Sequence, residues 1–397
     1  METISFFTRR RIILRRHVVD FYYFGFIVFI ILSQYNTALW GASFSFALVP
    51  AFLFLLGALT SQPTVRKESL LILPIFFLYL FSTGFSSYVE IGRDFLSFAV
   101  FCLFFILTVS HYYRKNELKK LILIYIIISL TVSLNICYQW INHVYLQAWL
   151  KRSTFVFFGV FKDPNYAMAL IAPAAVFSAF LFINSKKFIV KLICFLNIAF
   201  AFLACICAST RAGMLAIALP IALIPLFASK MSIWKRLAFL VLLVFIILVG
   251  YWIITATYNE YALARFFHDD TGSGRLDIWE SALLVFKDRP IFGGGLNSGS
   301  AVSVVFEAHT THSVFIDILC DSGIVGLLLF AVFFVKNCLC VSRRNLSFQL
   351  IMAFSFLIPL FFINGFNTIT FYFPIIVLSI MSNYNKDGNY LDIVRFI

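Results

Sequence analysis

Residues 312–336 read HSVFIDILCDSGIVGLLLFAVFFVK, and the class of fold follows from them. A histidine opens the stretch, a long apolar helix is expected after it, and Gly323 and Gly326 stand one helical turn apart. A helix needs ~20 predominantly apolar residues to cross the hydrocarbon core of a bilayer. This run meets that length, and the chain holds many others. Over 397 residues it is 62% hydrophobic, 19% aromatic and only 12% charged, with 51 phenylalanines. Soluble domains carry about twice that share of charge. The predicted fold is all-α: an integral membrane protein with one polytopic domain over 1–397.

About twelve spans are expected, at 18–37, 38–59, 69–88, 93–113, 118–141, 164–183, 187–208, 212–229, 235–256, 313–337, 347–363 and 367–382. The first 16 residues are basic, but no small-residue cleavage site follows the first apolar run. That run is read as a retained helix and not a removed signal peptide. With the N-terminus inside, one set of loops gathers 22 of the 31 Lys and Arg residues, among them Arg9, Arg10, Arg66, Lys67, Arg114, Lys115, Arg343 and Arg344. The positive-inside rule then puts both termini in the cytoplasm. The net charge of +13 is thus a topology signal, and nucleic acid is not an expected partner. All eight cysteines lie in or beside apolar runs, so neither a disulfide framework nor a zinc site is expected.

Under this topology two outer segments stand out. The first, 142–163, holds Lys151, Arg152 and Lys162 and ends at Asp163-Pro164-Asn165. Asp followed by Pro suits a helix start. Capping alone and a part in substrate binding both remain open for Asp163 and Asn165, with Arg152 beside them. The second, 257–313, is the one long polar insertion, and loops of that length are usually functional. Within it a helix is expected from Arg275, with Leu276, Trp279, Leu283 and Phe286 on one apolar face. Pro290 and Gly293-Gly294-Gly295 should stop it. Such a helix suits the membrane interface.

Three residues carry the functional reading. Arg211 lies in the short connection Ser209–Gly213 between two apolar runs, on the face poor in positive charge. An arginine so near hydrocarbon costs several kcal/mol unless paired or hydrated. It is either a functional group or an arginine snorkelling to lipid phosphates. Arg275 stands in the first turn of its helix, where the dipole disfavours a cation, so it calls for a partner unless it is an ordinary surface residue. His312 opens the 313–337 run. Thr310 or Thr311 can cap that helix without it, and the positive end of the dipole favours a neutral ring able to accept a proton. His309-x-x-His312 resembles a metal pair, but no further ligand stands at suitable spacing on that helix. No metal or cofactor is expected.

The C-terminal half resembles the O-antigen ligase and polymerase superfamily of bacterial envelope glycosyltransferases. Ser-Thr-Arg-Ala-Gly-Met-Leu at 209–215 looks like the family's Arg-x3-Leu motif. Gly274-Arg275 through Gly295 looks like its Arg…Trp…Pro…Gly segment. His312-Ser313…Gly323-Ile324-Val325-Gly326 looks like its ligase motif, a His and a small polar residue, nine further residues, then Gly-x-x-Gly. Close matching covers 205–330, which the resemblance makes the catalytic region, with 257–313 as a periplasmic loop. It implies an inner-membrane enzyme that transfers a glycan, without metal and with inversion, from an undecaprenyl-diphosphate carrier to an acceptor hydroxyl. Arg211 and Arg275 would clamp the leaving diphosphate, and His312 would take the proton. Arg152, Asp163 and Asn165 complete the candidate substrate-binding set.

Two reactions share this machinery. A ligase transfers finished O-antigen to lipid A–core, and a polymerase transfers it to another lipid-linked repeat. The ligase-type motifs favour the first, although the loop is short for a ligase and Ser313 stands where Asn is commoner. A lipid-oligosaccharide flippase would also show many spans. Coupled transporters usually carry acids within the bilayer, whereas nearly all acids here are expected at helix ends or in loops, so transport ranks lower.

Overall fold

The computed structural model describes residues 20–35, 65–146, 152–157, 160–227, 275–305, 311–341, 343–363 and 369–386, with 52–59 and 232–252 in part. Helices α1 (Phe21–Tyr35), α2 (Ile72–Gly84), α3 (Arg93–Ser110) and α4 (Lys115–Ile141) come first, α2 being entered through a 3₁₀ turn. A two-residue antiparallel bridge, β1 (Val156–Phe157) with β2 (Val160–Phe161), precedes α5 (Pro164–Asn184), α6 (Phe188–Cys207) and α7 (Arg211–Phe227). After α8 (Arg275–Asp288) and α9 (Ser298–Val305) come α10 (Val314–Phe334), α11 (Arg343–Leu360) and α12 (Ile369–Lys386).

Five of the described helices are long and apolar enough to cross a membrane: 67–84, 115–141, 164–184, 188–207 and 314–339. Shorter apolar helices occupy Phe21–Leu32, Asp94–Ser110, Arg211–Phe227, Leu346–Leu360 and Phe371–Asn383. These ten fall on ten of the predicted runs. The runs at 38–59 and 235–256 lie largely outside the described residues. Large apolar side chains such as Phe77, Leu103 and Val241 face outward, as lipid-facing surfaces require.

The helix ends meet in two sets. At one end the Arg66 amide donates to Ser110 Oγ (3.0 Å), Asn383 Nδ2 to the Val109 carbonyl (3.0 Å) and Asn337 Nδ2 to the Glu68 carbonyl (2.9 Å). Arg114 begins α4 there; its amide donates to Glu117 Oε2 (2.6 Å), so the helix starts three residues before the predicted run. The opposite end gathers the ends of α2, α4, α6 and α11 with the starts of α3, α5, α7 and α10. All six predicted site residues lie there.

α5 sits at the centre, packed by α4, α6, α7 and α11. Its interior positions include Ala167, Ala169, Ala172, Ala174, Ala175 and Ala179, all buried. Small side chains let neighbouring helices approach closely, which is what drives helix association where apolar burial gives no advantage over lipid. A buried tie from Asn197 Nδ2 to Ser178 Oγ (2.9 Å) joins α6 to α5.

Candidate active site

The first group of candidates lies around the start of α5. Asp163 Oδ1 accepts from the amides of Asn165 (2.8 Å) and Tyr166 (3.4 Å), with Pro164 in the first turn. Asp163 therefore caps α5 through Oδ1. Before it, residues 152–154 run beside the end of α6. The Ser153 amide donates to the Cys207 carbonyl (3.1 Å), and Arg152 Nε donates to the Ala208 carbonyl (2.9 Å). Arg152 is buried with its guanidinium against the connection that leads to Arg211. Thr154 Oγ1 donates to the Lys162 carbonyl, closing the turn. Lys162 is itself buried, and desolvation lowers its ammonium pKa to about 7.

Ser209 holds the connection in a left-handed conformation at φ 48. Such a conformation costs an L-residue about 1–2 kcal/mol. It lets the chain reverse within three residues, so that Arg211 opens α7 with its side chain exposed. Gly213 then packs on Met168 of α5. An added Cβ would lie 2.7 Å from Met168 Cγ, so glycine is what lets the start of α7 sit against the first turn of α5. Arg152, Asp163, Asn165 and Arg211 are thus brought to one locality.

The second group surrounds the start of α10. His312 is half-buried and left-handed at φ 52, and Ser313 occupies the cap position of the helix. The histidine therefore precedes the cap. Thr311 is fully buried on its other side. Its hydroxyl donates to Asp317 Oδ1 and accepts from the Ser313 amide (3.5 Å), while its carbonyl accepts from Trp279 Nε1 (2.8 Å). Trp279 lies one turn beyond Arg275 on α8. The Arg275 guanidinium in turn stands 5.1 Å from the centre of the Phe362 ring, a cation–π contact. Phe361 packs on Phe315 of α10, with ring centres 4.4 Å apart. The α8 turn that carries Arg275 is therefore tied to the start of α10 from two sides.

The Gly-x-x-Gly pair has a structural task in this arrangement. α10 is broken at Gly323 (φ 63, ψ −164), and the turn after α8 is inserted at the break. The Gly294 and Gly295 amides donate to the Cys320 and Asp321 carbonyls (2.8 and 2.9 Å). Ile324 and Val325 donate back to Pro290 and Ile291 (3.0 and 3.3 Å). A Cβ at Gly323 would overlap the Ile291 carbonyl, and one at Gly293 would overlap the Asp321 backbone. Asp321, buried, accepts from the Asn297 amide (2.9 Å) and Ser298 Oγ (3.1 Å), which fixes the start of α9.

The apolar face predicted for α8 is corrected. Ala282 and Val285 are the buried positions, with Cys320 Sγ donating to the Ala282 carbonyl (3.2 Å), whereas Leu276 is 65% exposed. The small Ala282 permits a close crossing with α10 that Leu or Phe would hold apart. Trp279, Leu283 and Phe286 flank this seam, half-buried.

Sequence reasoning offered Thr311 only as a cap, a position that Ser313 takes, and missed Asp317, Asp321 and the burial of Lys162. Asp317 and Asp321 lie buried within α10 and so depart from the expectation that nearly all acids stand at helix ends or in loops. Their signal was available, because acids four residues apart inside an apolar run share one helix face and demand partners.

Residues 196–331 match the family model described as O-Antigen ligase. No curated protein matches the chain. The matched stretch runs from within α6 to the last turns of α10 and contains Arg211, Arg275, His312, Gly323 and Gly326. Residues 196–331 of this chain are therefore similar to the O-antigen ligase family.

Proposed function

We propose that the protein is an O-antigen ligase of the bacterial inner membrane, transferring an undecaprenyl-diphosphate-linked polysaccharide to lipid A–core at the periplasmic face. The reading includes twelve spans, both termini in the cytoplasm, and a periplasmic 257–313 loop. The observation that carries it is the confinement of Arg211, Arg275 and His312 to one family-matched stretch and one end of the helical body.

The acceptor hydroxyl oxygen attacks the anomeric carbon of the donor's first sugar. The bond from that carbon to the phosphate oxygen breaks on the opposite side, inverting the centre and releasing undecaprenyl diphosphate. His312 accepts the hydroxyl proton, a role worth ~10²–10⁴-fold. Arg211 and Arg275 stabilise the departing diphosphate through forked, permanently charged donors, so the transfer needs no metal. Arg152 supports the connection that presents Arg211. Asp163 and Asn165 shape the floor of the site at the start of α5.

Polymerization of lipid-linked repeats would use the same groups, and the ligase form of the histidine motif favours transfer to lipid A–core. A deletion strain separates the two through its lipopolysaccharide. Loss of all O-antigen from lipid A–core while carrier-linked polymer accumulates marks the ligase. A core carrying one repeat marks the polymerase, and an unchanged glycan overturns both.

A further inference from the structure

We propose that Trp279 and the Thr311–Asp317 pair are positioning residues that fix His312 relative to Arg275. This rests on the reading of His312 and Arg275 as members of one catalytic site. The observation behind it is a closed circuit of contacts. From Arg275 it passes one turn along α8 to Trp279, whose Nε1 donates to the Thr311 carbonyl at 2.8 Å. Thr311 adjoins His312, and Phe315, in the first turn of α10, packs on Phe361. Phe362 then returns to Arg275 at 5.1 Å.

Inside the circuit, Thr311 is held at its carbonyl and at its hydroxyl, which donates to the buried Asp317 carboxylate. A non-glycine residue at φ 52 persists only where its surroundings over-determine it. Thr311, fully buried on one side, and the buried cap Ser313 on the other provide that determination for His312. The two ties end on the carbonyl and the hydroxyl of Thr311. Both act through the backbone, setting where the ring stands above α10 and how far it lies from the arginine on α8. A displacement near 1 Å at such a site can lower turnover by ~10²-fold without altering what binds.

The test uses the full-length protein in nanodiscs. Trp279→Phe removes the indole donor and keeps an aromatic ring; Thr311→Val removes the hydroxyl and keeps the shape. Turnover should fall about tenfold or more in each, while affinity for undecaprenyl diphosphate stays within about twofold. Acylation of His312 by diethyl pyrocarbonate, followed by mass spectrometry, should quicken severalfold. The exposed His143 serves as the unchanged reference. Asp317→Asn, whose amide oxygen still accepts from Thr311, should recover most of the turnover that Asp317→Ala loses. Wild-type turnover and wild-type acylation in both conservative variants would overturn the proposal. So would an Asp317→Asn protein as inactive as His312→Ala, since the carboxylate would then be acting chemically. Wild-type turnover by His312→Ala would instead remove the catalytic reading, and the acylation rates would still decide whether the clamp exists.

Discussion

At the scale of single residues, the site concentrates backbone strain and buried charge. Ser209, two residues before Arg211, and His312 itself are both left-handed. Glycine adopts such a conformation freely and alanine does not. His312→Gly should therefore be more stable than His312→Ala by about 1 kcal/mol, with transfer lost in both. Thermal unfolding of the two variants checks this, and equal midpoints would show that position 312 is not held at positive φ. Lys162 offers a pH readout. Its pKa falls from 10.5 to about 7 on folding, so between those values the unfolded chain binds more protons and stability rises with pH. Lys162→Met, which removes the ammonium, should be more stable than wild type at pH 7, and the difference should shrink toward pH 10.5. A difference that does not vary with pH would show that Lys162 keeps its ordinary pKa in the fold.

At the scale of elements, the spans were legible because apolar length is read directly from composition, and the start of α5 was legible from Asp163-Pro164. The stop of α8 before Pro290 was equally plain. α9 was not, since Ser-Gly-Ser-Ala-Val-Ser-Val-Val has weak helix propensity. It forms because Asn297 and Ser298 bond to Asp321, a tertiary contact that no local pattern announces. Likewise Arg211, Arg275 and His312 could be singled out one by one as charges and rings in unlikely places. The placing of Arg275 beside the start of α10 could not, because it depends on the loop after α8 entering the break in α10. That insertion should tolerate little change. Gly323→Ala adds a Cβ against the Ile291 carbonyl at a positive φ and should lower stability by about 2–4 kcal/mol. Gly84→Ala, where an added Cβ meets nothing within 4 Å, is the control. Equal thermal midpoints for the two would show that the break is not seated as described.

At the scale of the whole molecule, helix directions and charge converge on one arrangement. The site-bearing ends of α5, α7 and α10 lie together, and Arg66, Arg114 and Lys115 lie at the opposite end. The excess of positive charge there should hold that end in the cytoplasm. A single cysteine placed at Ser273 in a cysteine-depleted variant should react with an impermeant maleimide from outside the inner membrane. Labelling only after that membrane is opened would invert the topology. The central claim is tested most directly by the purified protein, given undecaprenyl-diphosphate-linked O-antigen and lipid A–core. Wild-type protein should join the polymer to the core and release undecaprenyl diphosphate, and His312→Ala should bind the carrier yet form no product. Failure of the wild type to modify lipid A–core while it extends lipid-linked repeats, or full transfer by His312→Ala, would contradict the account.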